Sequence, residues 1–472
     1  MPDREAAQPV AARTTSSTAP QRRKAAPGKL EAEHFNPENN TRFLPQRYRR
    51  VTKLAMLYER WRSIARAHAS EVALRDLTAG HDWTFFQLSV ASETNPDPAR
   101  PVVFPQGNSA EFVLTVLRAW RHGQIVCPLE LGQPPPKFAQ LPPGCVHIKT
   151  TSATTGDARA AAFRAEQLAA DAENIIATMG LRCDWPNLGV ISLAHSYGFS
   201  NLVLPLLLHG IPLILAPAPL PETVRNAAAL AAAITLPGVP AMWRAWHDTD
   251  SIAPNVKLAI SAGAPLPVEL EQAVFAVRGL KIHNFYGASE CGGITYDAIE
   301  TPRADDACVG APMKNVSLSV AEDGCLEVRS RAVAETYWPQ PDTNLSSGCF
   351  HTNDLAQVCG GQIFLRGRVG DQINVAGRKV SPETIERALL KHPRVLECLV
   401  FGVPSRDPER ADEIVAVIVS REREAVLREF VVKTLPAWQA PRHWWFVESV
   451  QANSRGKVSR ADWRTKFVRE QT

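Results

Sequence analysis

The sequence predicts an α/β protein: a large N-terminal domain of helix-covered, mainly parallel sheets plus a β-rich subdomain, with a small C-terminal α+β domain. Three observations favour this fold class. Short apolar strands alternate with helical patterns from about residue 100, paired strands replace them after about residue 315, and a compact mixed pattern follows residue 370. The chain has 472 residues, which is long enough for about three domain-sized units.

The spacing of apolar residues predicts the strands and helices between about residues 100 and 260. The stretch from His195 to Pro221 has no charged Asp, Glu, Lys or Arg, but prolines and glycines interrupt it. We therefore expect a buried helix, a stop at Gly210 and a buried strand rather than a membrane span. The predicted elements are strands at Pro101–Phe104, Ile125–Leu129, Leu188–Leu193, Pro212–Leu215 and Val256–Ile260, and helices at Ala110–Arg121, Asn201–Leu208 and Glu222–Ile234.

Paired strands dominate the rest of the chain. Gly360-Gly361 between two apolar runs indicates a two-residue hairpin. We divide the chain into a tail of residues 1–45, a large domain of residues 46–370 and a small domain of residues 371–472. The predicted elements are strands at Asn315–Val320, Cys325–Ser330, Leu355–Val358, Ile363–Leu365, Val395–Val403 and Glu413–Val419, a strand pair around Ala376-Gly377, and a helix at Pro382–Lys391.

Composition excludes several classes of protein. A net charge of +4 is too small for a nucleic-acid-binding protein of this length. The positive excess is concentrated in the first fifty residues, so residues 1–45 are predicted to be disordered, either as a basic arm for an acidic partner or as a solvated tail. The nine cysteines stand singly, without a C-x-x-C pair, and no secretory signal is present. We therefore expect a cytoplasmic protein without a disulfide framework or structural zinc.

Five polar segments carry residue types suited to nucleotide chemistry. A run of hydroxyl residues with a glycine and a cation can wrap a polyphosphate. An aromatic ring can stack on a base, and carboxylates can hold Mg²⁺ or the two hydroxyls of a ribose. Taken singly, each segment also has a structural reading, such as a surface turn or a core tyrosine. The segments are Thr150–Arg159, Asn284–Glu290, Phe350–Asp354, Gly367–Ile373 and Asn453–Lys457.

In order and spacing, these segments resemble the superfamily of acyl-CoA synthetases, nonribosomal-peptide adenylation domains and firefly luciferase. Thr151–Arg159 is similar to T-S-G-T-T-G-x-P-K and Tyr286–Glu290 to Y-G-x-[ST]-E. His351–Asp354 resembles a T-G-D block, Gly367–Glu386 a G-R-x-x-D-x-I block, and Ser454–Arg460 a G-K-x-x-R block. The resemblance implies a two-domain enzyme that uses ATP, Mg²⁺ and coenzyme A, with a mobile C-terminal domain.

The resemblance also implies a role for each matching residue. Lys457 would act in catalysis between the substrate carboxylate and the α-phosphate, and Glu290 would hold Mg²⁺. Asp371 would be the hinge, and Gly377 would line the channel for coenzyme A. The other implied nucleotide contacts are Thr151, Ser152, Thr154, Thr155, Gly156 and Arg159 for phosphates, Gly263, Ala264, Tyr286, Gly287 and Ser289 around adenine, and Asp354 and Arg368 for ribose.

The nature of the acid follows less directly. His195 lies in a segment that resembles F-H-x-Y-G and would gate the acid pocket. No acidic residue lies between Asp184 and Glu222 to pair with an ammonium group, which favours an uncharged fatty or aryl acid. The acceptor is coenzyme A or the phosphopantetheine of an acyl carrier protein. A non-catalytic acyl or nucleotide binder is a third interpretation. In the phosphate loop Ala153 stands where the resembled family has glycine, and in the separate block that ends at Asp354, Asn353 stands where glycine is usual.

Overall fold

The computed structural model describes residues 55–94, 100–150, 160–346, 348–405, 411–450 and 458–471. The N-terminal tail of residues 1–45 lies outside these ranges. Among the helices that the structure describes, none combines the length and the apolar character that a membrane crossing requires. The described helices are α1 Ala55–Ala67, α2 Phe85–Ser92, α3 Ala110–His122, α4 Ala165–Met179, α5 Ser196–Gly198, α6 Leu204–His209, α7 Pro221–Ala228, α8 Pro240–Asp248, α9 Val268–Arg278, α10 Pro382–Leu390, α11 Glu424–Thr434 and α12 Arg460–Gln471.

Twenty-four strands are present in these ranges, and most of them belong to one extended sheet. In chain order they are β1 Val72–Asp76, β2 His81–Thr84, β3 Val102–Val103, β4 Ile125–Val126, β5 His147–Thr150, β6 Ala160–Phe163, β7 Asn187–Gly189, β8 Leu213–Leu215, β9 Ile234–Gly238, β10 Val256–Ser261, β11 Ile282–Ala288, β12 Gly292–Tyr296, β13 Cys308–Pro312, β14 Val316–Val320, β15 Cys325–Ser330, β16 Thr336–Trp338, β17 Leu345–Ser346, β18 Cys349–Cys359, β19 Gln362–Arg368, β20 Ile373–Val375, β21 Arg378–Val380, β22 Val395–Pro404, β23 Asp412–Ser420 and β24 His443–Phe446.

The centre of the extended sheet is parallel. Strands β1, β8, β7, β9, β10 and β11 run side by side in the same direction. Their buried residues form one core with the helices that cover them, as expected for a parallel sheet that carries helices on its faces. The carboxyl end of β10 lies beside the middle of β11, because its last residue, Ser261, is the register partner of Asn284, two residues before Tyr286. This sheet edge is the place where a ligand of a parallel sheet is expected.

The same sheet continues into an antiparallel half. Strands β12, β13, β19, β18, β15 and β14 follow β11 in that order. The predicted hairpin at Gly360-Gly361 is confirmed, with both glycines at positive φ between β18 and β19. A second sheet has the order β16-β6-β5-β4-β3. Its antiparallel β5–β6 pair flanks residues 151–159, so the predicted phosphate loop connects these two strands.

The last hundred residues build their own hydrophobic clusters. Strands β22, β23 and β24 form a three-stranded sheet, and β20 pairs with β21. The buried residues of this region pack with α10 and α11 on one side of the sheet, and Trp463 and Phe467 of α12 pack on the other. The predicted strand pair around Ala376-Gly377 is confirmed. The boundary between a large and a small domain at residue 370 stays a prediction.

Several predicted elements have other bounds in the structure. The strand predicted at Ile125–Leu129 spans only Ile125–Val126, and the one predicted at Leu355–Val358 is part of the longer Cys349–Cys359. The alanine-rich helix predicted at Glu222–Ile234 ends at Ala228, and Ile234 begins β9. Ile234 is the register partner of Val256 in the buried parallel sheet, so sheet pairing overrides the helix propensity of the alanines. The strand predicted at Leu188–Leu193 is shorter and spans Asn187–Gly189. The buried helix before Gly210 is confirmed, with a π-helical turn at Phe199–Val203 and Gly210 at a φ of 71°.

Candidate active site

Three residues from the interior strands β11, β18 and β19 of the extended sheet meet near the carboxyl end of β11. The Tyr286 hydroxyl donates a hydrogen bond of 2.6 Å to Oδ2 of Asp354. Nε of Arg368 donates one of 2.7 Å to Oδ1 of the same carboxylate. Both oxygens keep further lone pairs, so the carboxylate can still accept hydrogen bonds from two vicinal hydroxyls.

Sheet register explains this cluster. Asp354 and Arg368 are direct partners in the β18–β19 hairpin, because the register that starts at the Gly360-Gly361 turn shifts by one residue between Leu355 and Ala356. Tyr286 comes from β11, which is four strands from β18 and three from β19 in the sheet order. Burial, reinforced by the Asp354 carboxylate, raises the pKa of Tyr286 well above its ordinary value. The hydroxyl therefore remains a hydrogen-bond donor at neutral pH.

Glu290 lies two residues beyond β11 on the same edge. Its Oε1 accepts a hydrogen bond of 3.0 Å from the Tyr337 hydroxyl, and its carbonyl accepts one of 2.8 Å from the Ala334 amide. Burial raises the pKa of Glu290, while the bond from Tyr337 and the charges of Arg368 and Lys149 oppose the rise. A carboxylate that is costly to ionise gains most from a bound cation, so Glu290 suits a Mg²⁺ ligand.

The other predicted adenine contacts are residues with small side chains. Gly263 and Ala264 are exposed just beyond the end of β10, beside the end of β11. Gly287 is crowded by backbone, since a Cβ there would lie 2.5 Å from the carbonyl oxygen of Gly292. Ser289 is half-buried in the turn that follows. The predicted adenine contacts thus lie at the carboxyl ends of β10 and β11, where Tyr286 also meets the predicted ribose contacts Asp354 and Arg368.

His195 has a charged neighbour that the sequence did not indicate. Nε2 of His195 lies 3.3 Å from Oε1 of Glu130, and the hydroxyl of Ser192 donates to the same oxygen at 2.6 Å. Glu130 lies 65 residues before His195 in the sequence, outside the stretch between Asp184 and Glu222 that has no acidic residue. The premise that no acidic residue lies near this segment is therefore wrong, because the fold places the Glu130 carboxylate beside His195. An acid without an ammonium group stays a prediction.

A buried lysine lies behind the same region and was also missed. Nζ of Lys149 donates to Oγ of Ser196 at 3.0 Å and to Oγ of Ser200 at 3.3 Å. Oδ2 of Asp171 lies 4.0 Å from the ammonium, and both side chains are at most 5% exposed. Lys149 lies in the short strand His147–Thr150, directly before the hydroxyl-rich loop, and that strand has no apolar pattern that would have predicted a buried charge.

Comparison with known proteins supports the interpretation of this edge. Two family models match the chain: the AMP-binding enzyme model over residues 143–338 and the AMP-binding enzyme C-terminal domain model over residues 384–457. Together they cover more than half of the chain, in the expected order. The chain belongs to the family of AMP-binding enzymes.

Curated relatives of this AMP-binding enzyme are ligases. A probable 2-succinylbenzoate–CoA ligase of Mycobacterium tuberculosis is 28% identical over 378 residues, which is 74% of this chain and 90% of the relative. The fatty acid–[acyl-carrier-protein] ligase ScoC of Streptomyces coeruleorubidus is 28% identical over 258 residues, which is 48% of this chain and 49% of that protein. ATP-bound MatB from Rhodopseudomonas palustris shares the fold, with a TM-score of 0.76 and 20% identity over 88% of this chain and 99% of MatB.

In the C-terminal part of this AMP-binding enzyme, Arg460 connects several carboxylates. Its guanidinium lies 2.9 Å from Oδ2 of Asp371, the predicted hinge residue, and 2.8 Å from both Glu383 and Glu386. Its Nε also donates to the carbonyl of Val400 at 3.0 Å. Asp371 is therefore bound to the start of α12.

The remaining predicted residues divide into two groups. Gly377 is exposed at a φ of 80°, in the turn between β20 and β21, and its place beside a coenzyme A channel stays a prediction. The second group lies outside the described residues, and its predicted roles stay predictions as well. It consists of Thr151, Ser152, Thr154, Thr155, Gly156, Arg159 and Lys457.

Proposed function

We propose that the chain activates a fatty or aryl carboxylic acid with ATP to an acyl-AMP and then transfers the acyl group to coenzyme A. The products are an acyl-CoA thioester, AMP and pyrophosphate. The observation that carries this proposal is the meeting of Tyr286, Asp354 and Arg368 at one sheet edge in a chain of the AMP-binding enzyme family. A probable 2-succinylbenzoate–CoA ligase among the relatives supports the acid and the thiol acceptor.

The proposed nucleotide site divides its work between three groups. Tyr286 stacks on adenine beside Gly263 and Ala264. The carboxylate of Asp354, held by Tyr286 and Arg368, accepts hydrogen bonds from the ribose hydroxyls. The Tyr286–Asp354 and Arg368–Asp354 pairs contact the nucleotide and not the acid. They therefore set the affinity for ATP, while other residues set the preference among acids.

Charge on the phosphates is balanced by other residues. Glu290 fits a Mg²⁺ ligand because magnesium sites on nucleotides use one or two carboxylates together with the phosphates. The ion would neutralise charge on the triphosphate when bound. Lys457 stabilises the charge that grows on the α-phosphate as the acid's carboxylate attacks. Arg159 supplies the cation of the altered phosphate loop.

A carrier-protein thiol is the second candidate acceptor. Similarity to an acyl-carrier-protein ligase favours it, and the basic N-terminal residues suit an acidic partner. A non-catalytic binder is less well supported, because Glu290, Asp354, Arg368 and Lys457 are all present.

Product analysis tests the function. The full-length enzyme is incubated with ATP, Mg²⁺ and a panel of fatty and aryl acids, with either coenzyme A or a phosphopantetheinylated carrier protein. We expect AMP, pyrophosphate and one thioester in equal amounts, with the thioester forming on coenzyme A. Thioester on the carrier alone would overturn the choice of acceptor. ATP cleavage to ADP, or no cleavage with any acid, would overturn the function itself.

A further inference from the structure

Three side chains with metal-binding atoms meet on the antiparallel half of the extended sheet. Asp323 lies in the turn between β14 and β15, Cys325 is the first residue of β15, and His351 belongs to the neighbouring strand β18. One ligand atom from each of the three residues lies within 4.8 Å of the other two. Together they offer an oxygen, a sulfur and a nitrogen, a combination that the proposed nucleotide site does not use.

The turn before β15 holds the Asp323 carboxylate in place. The Cys325 amide donates a hydrogen bond of 3.0 Å to Oδ1 of Asp323. The other oxygen, Oδ2, lies 3.4 Å from Nε2 of His351. Two ligand atoms that are each about 2.1 Å from a tetrahedral zinc ion are about 3.4 Å apart, so this pair already has the spacing of zinc ligands.

The sulfur of Cys325 determines which metal suits the site. Thiolate and imidazole ligands suit zinc, whereas Mg²⁺ and Ca²⁺ prefer oxygen ligands. Cys325 is 1% exposed, while the side chains of His351 and Asp323 are 27% and 53% exposed. An ion can therefore enter from the side of the carboxylate. The sulfur needs to move by about 1 Å at most to reach the spacing of a zinc site.

The charges of the three residues suit a divalent cation. Coordination replaces the S–H bond of Cys325 with a zinc–sulfur bond, and the proton leaves to solvent. The thiolate and the Asp323 carboxylate then carry two negative charges, which Zn²⁺ neutralises, while His351 binds as neutral imidazole. Glu327 on the same strand is already paired with Arg329 at 2.7 Å. Three protein ligands and one water complete the tetrahedral coordination of a neutral site.

The ligands lie beside an irregularity in the pairing of β15 with β18. Cys325 pairs with Leu355, and His351 pairs with the residue two positions after Cys325. The three residues Thr352–Asp354 therefore bulge opposite a single residue of β15. An ion bound by both Cys325 and His351 cross-links the two strands next to this bulge. It thereby fixes the segment that presents the Asp354 carboxylate to Tyr286.

We propose that Asp323, Cys325 and His351 form a zinc site that cross-links β15 and β18 and holds the bulge that carries Asp354. The spacing of the cysteines predicted no structural zinc, but this site uses a single cysteine, and the pairing of two strands brings its ligands together. The zinc site is independent of the proposed function. Its effect on ATP binding rests on the proposed role of Asp354.

Cobalt titration tests the site directly. Co²⁺ can replace Zn²⁺ among such ligands, and its bond to a thiolate absorbs in the near ultraviolet. The full-length protein is freed of metal with a chelator and titrated with Co²⁺ alone, in the absence of ATP. We expect one equivalent to bind with a thiolate absorption band. One equivalent of Zn²⁺ should remove the band, and an excess of Mg²⁺ should not.

Single variants assign the ligands. Cys325→Ala should abolish the absorption band, and His351→Gln and Asp323→Asn should each weaken Co²⁺ binding by about a hundredfold or more. Changes to residues that only orient zinc ligands already cost about tenfold to a hundredfold in affinity. Cys359→Ser, which changes an exposed cysteine at the far end of β18, is the matched control and should bind Co²⁺ like the wild type.

Calorimetric titration with ATP measures the effect on the nucleotide site. Protein loaded with one zinc ion and freed of excess metal should bind ATP about fivefold or more tightly than metal-free protein. Asp323→Asn, treated in the same way, should show no such difference. Equal ATP affinities of loaded and metal-free wild type would overturn the effect of the ion on Asp354.

The outcomes separate this site from the proposed function. Absence of a thiolate band, or unchanged Co²⁺ affinity in both Cys325→Ala and Asp323→Asn, would overturn the zinc site. If the buried Cys325 variant does not fold, Asp323→Asn decides, because its side chain is half exposed and the amide can still accept from the backbone of Cys325. Failure to cleave ATP with every acid would overturn the function and leave the cobalt result unchanged.

Discussion

The Tyr286 hydroxyl donates a hydrogen bond of 2.6 Å to the Asp354 carboxylate, although the two residues are 68 positions apart in the chain. Asp354 thereby holds Tyr286 and Arg368 in one arrangement. In the proposed site, this carboxylate is the centre of nucleotide recognition.

Asp354→Asn should weaken ATP binding by about tenfold to a hundredfold. The change preserves size but removes the charge that Arg368 and the ribose hydroxyls use, and hydrogen bonds to charged groups contribute about 1.5–3 kcal/mol. Tyr286→Phe keeps the aromatic ring and the charge of Asp354, on which the proposed nucleotide contacts depend, and should weaken ATP binding by less than about tenfold. Calorimetric titration with ATP measures both. A larger loss in Tyr286→Phe than in Asp354→Asn would contradict the central place of the carboxylate.

Glu290→Gln should stabilise the nucleotide-free protein and impair catalysis. Burial raises the pKa of Glu290, so the folded state binds its proton more tightly than the unfolded chain does. The stability from this group is fully present below the unfolded pKa of about 4.3 and is lost as the pH rises through the raised folded pKa. At neutral pH the ionised carboxylate therefore destabilises the fold, and a neutral Gln removes that cost.

Two measurements on the Glu290 variant check this conflict between stability and catalysis. The Tm of Glu290→Gln should exceed that of the wild type at neutral pH, and the difference should vanish near pH 4. Adenylation should fall about a hundredfold. Glu429→Gln is the control, because Lys433 lowers the pKa of that exposed carboxyl and its removal should not raise the Tm. A lower Tm for Glu290→Gln than for the wild type at neutral pH would contradict the conclusion that ionised Glu290 destabilises the fold.

Arg460→Met should destabilise the C-terminal part of the chain by about 3–5 kcal/mol, because it leaves the half-buried Glu386 and two further carboxylates without their partner. Arg460→Lys should be intermediate, since an ammonium cannot reproduce the planar fork. Urea unfolding measures the change. Arg464→Met, on an exposed position of the same helix, should stay within about 0.5 kcal/mol of the wild type. Equal effects of the two methionine variants would contradict the role of Arg460.

Much of the fold followed from local pattern. Strand–helix alternation predicted the parallel sheet, and Gly360-Gly361 predicted the hairpin that contains Asp354 and Arg368, although not the register shift between Leu355 and Ala356 that makes them partners. The helix predicted to end at Ile234 was too long by six residues, because pairing of Ile234 with Val256 depends on a strand more than twenty residues away. Helix propensity contains no information on such a distant partner.

Local patterns likewise predicted only part of the candidate site. Tyr286, Asp354 and Arg368 belong to recognisable motifs, and the structure brings them together. Glu130 and Asp171 belong to no such motif, and they reach His195 and Lys149 only through the packing of separate elements. A search along the sequence near His195 could not find carboxylates that tertiary structure supplies.

The most direct test of the account is acid-dependent ATP–pyrophosphate exchange by the full-length wild type and by Lys457→Ala. We expect exchange with at least one fatty or aryl acid, and a loss of at least about a hundredfold in the variant, because Lys457 stabilises charge in the adenylation step. The variant should still convert a purified acyl-AMP to the thioester. A wild-type enzyme that binds ATP but exchanges pyrophosphate with no acid would contradict the account.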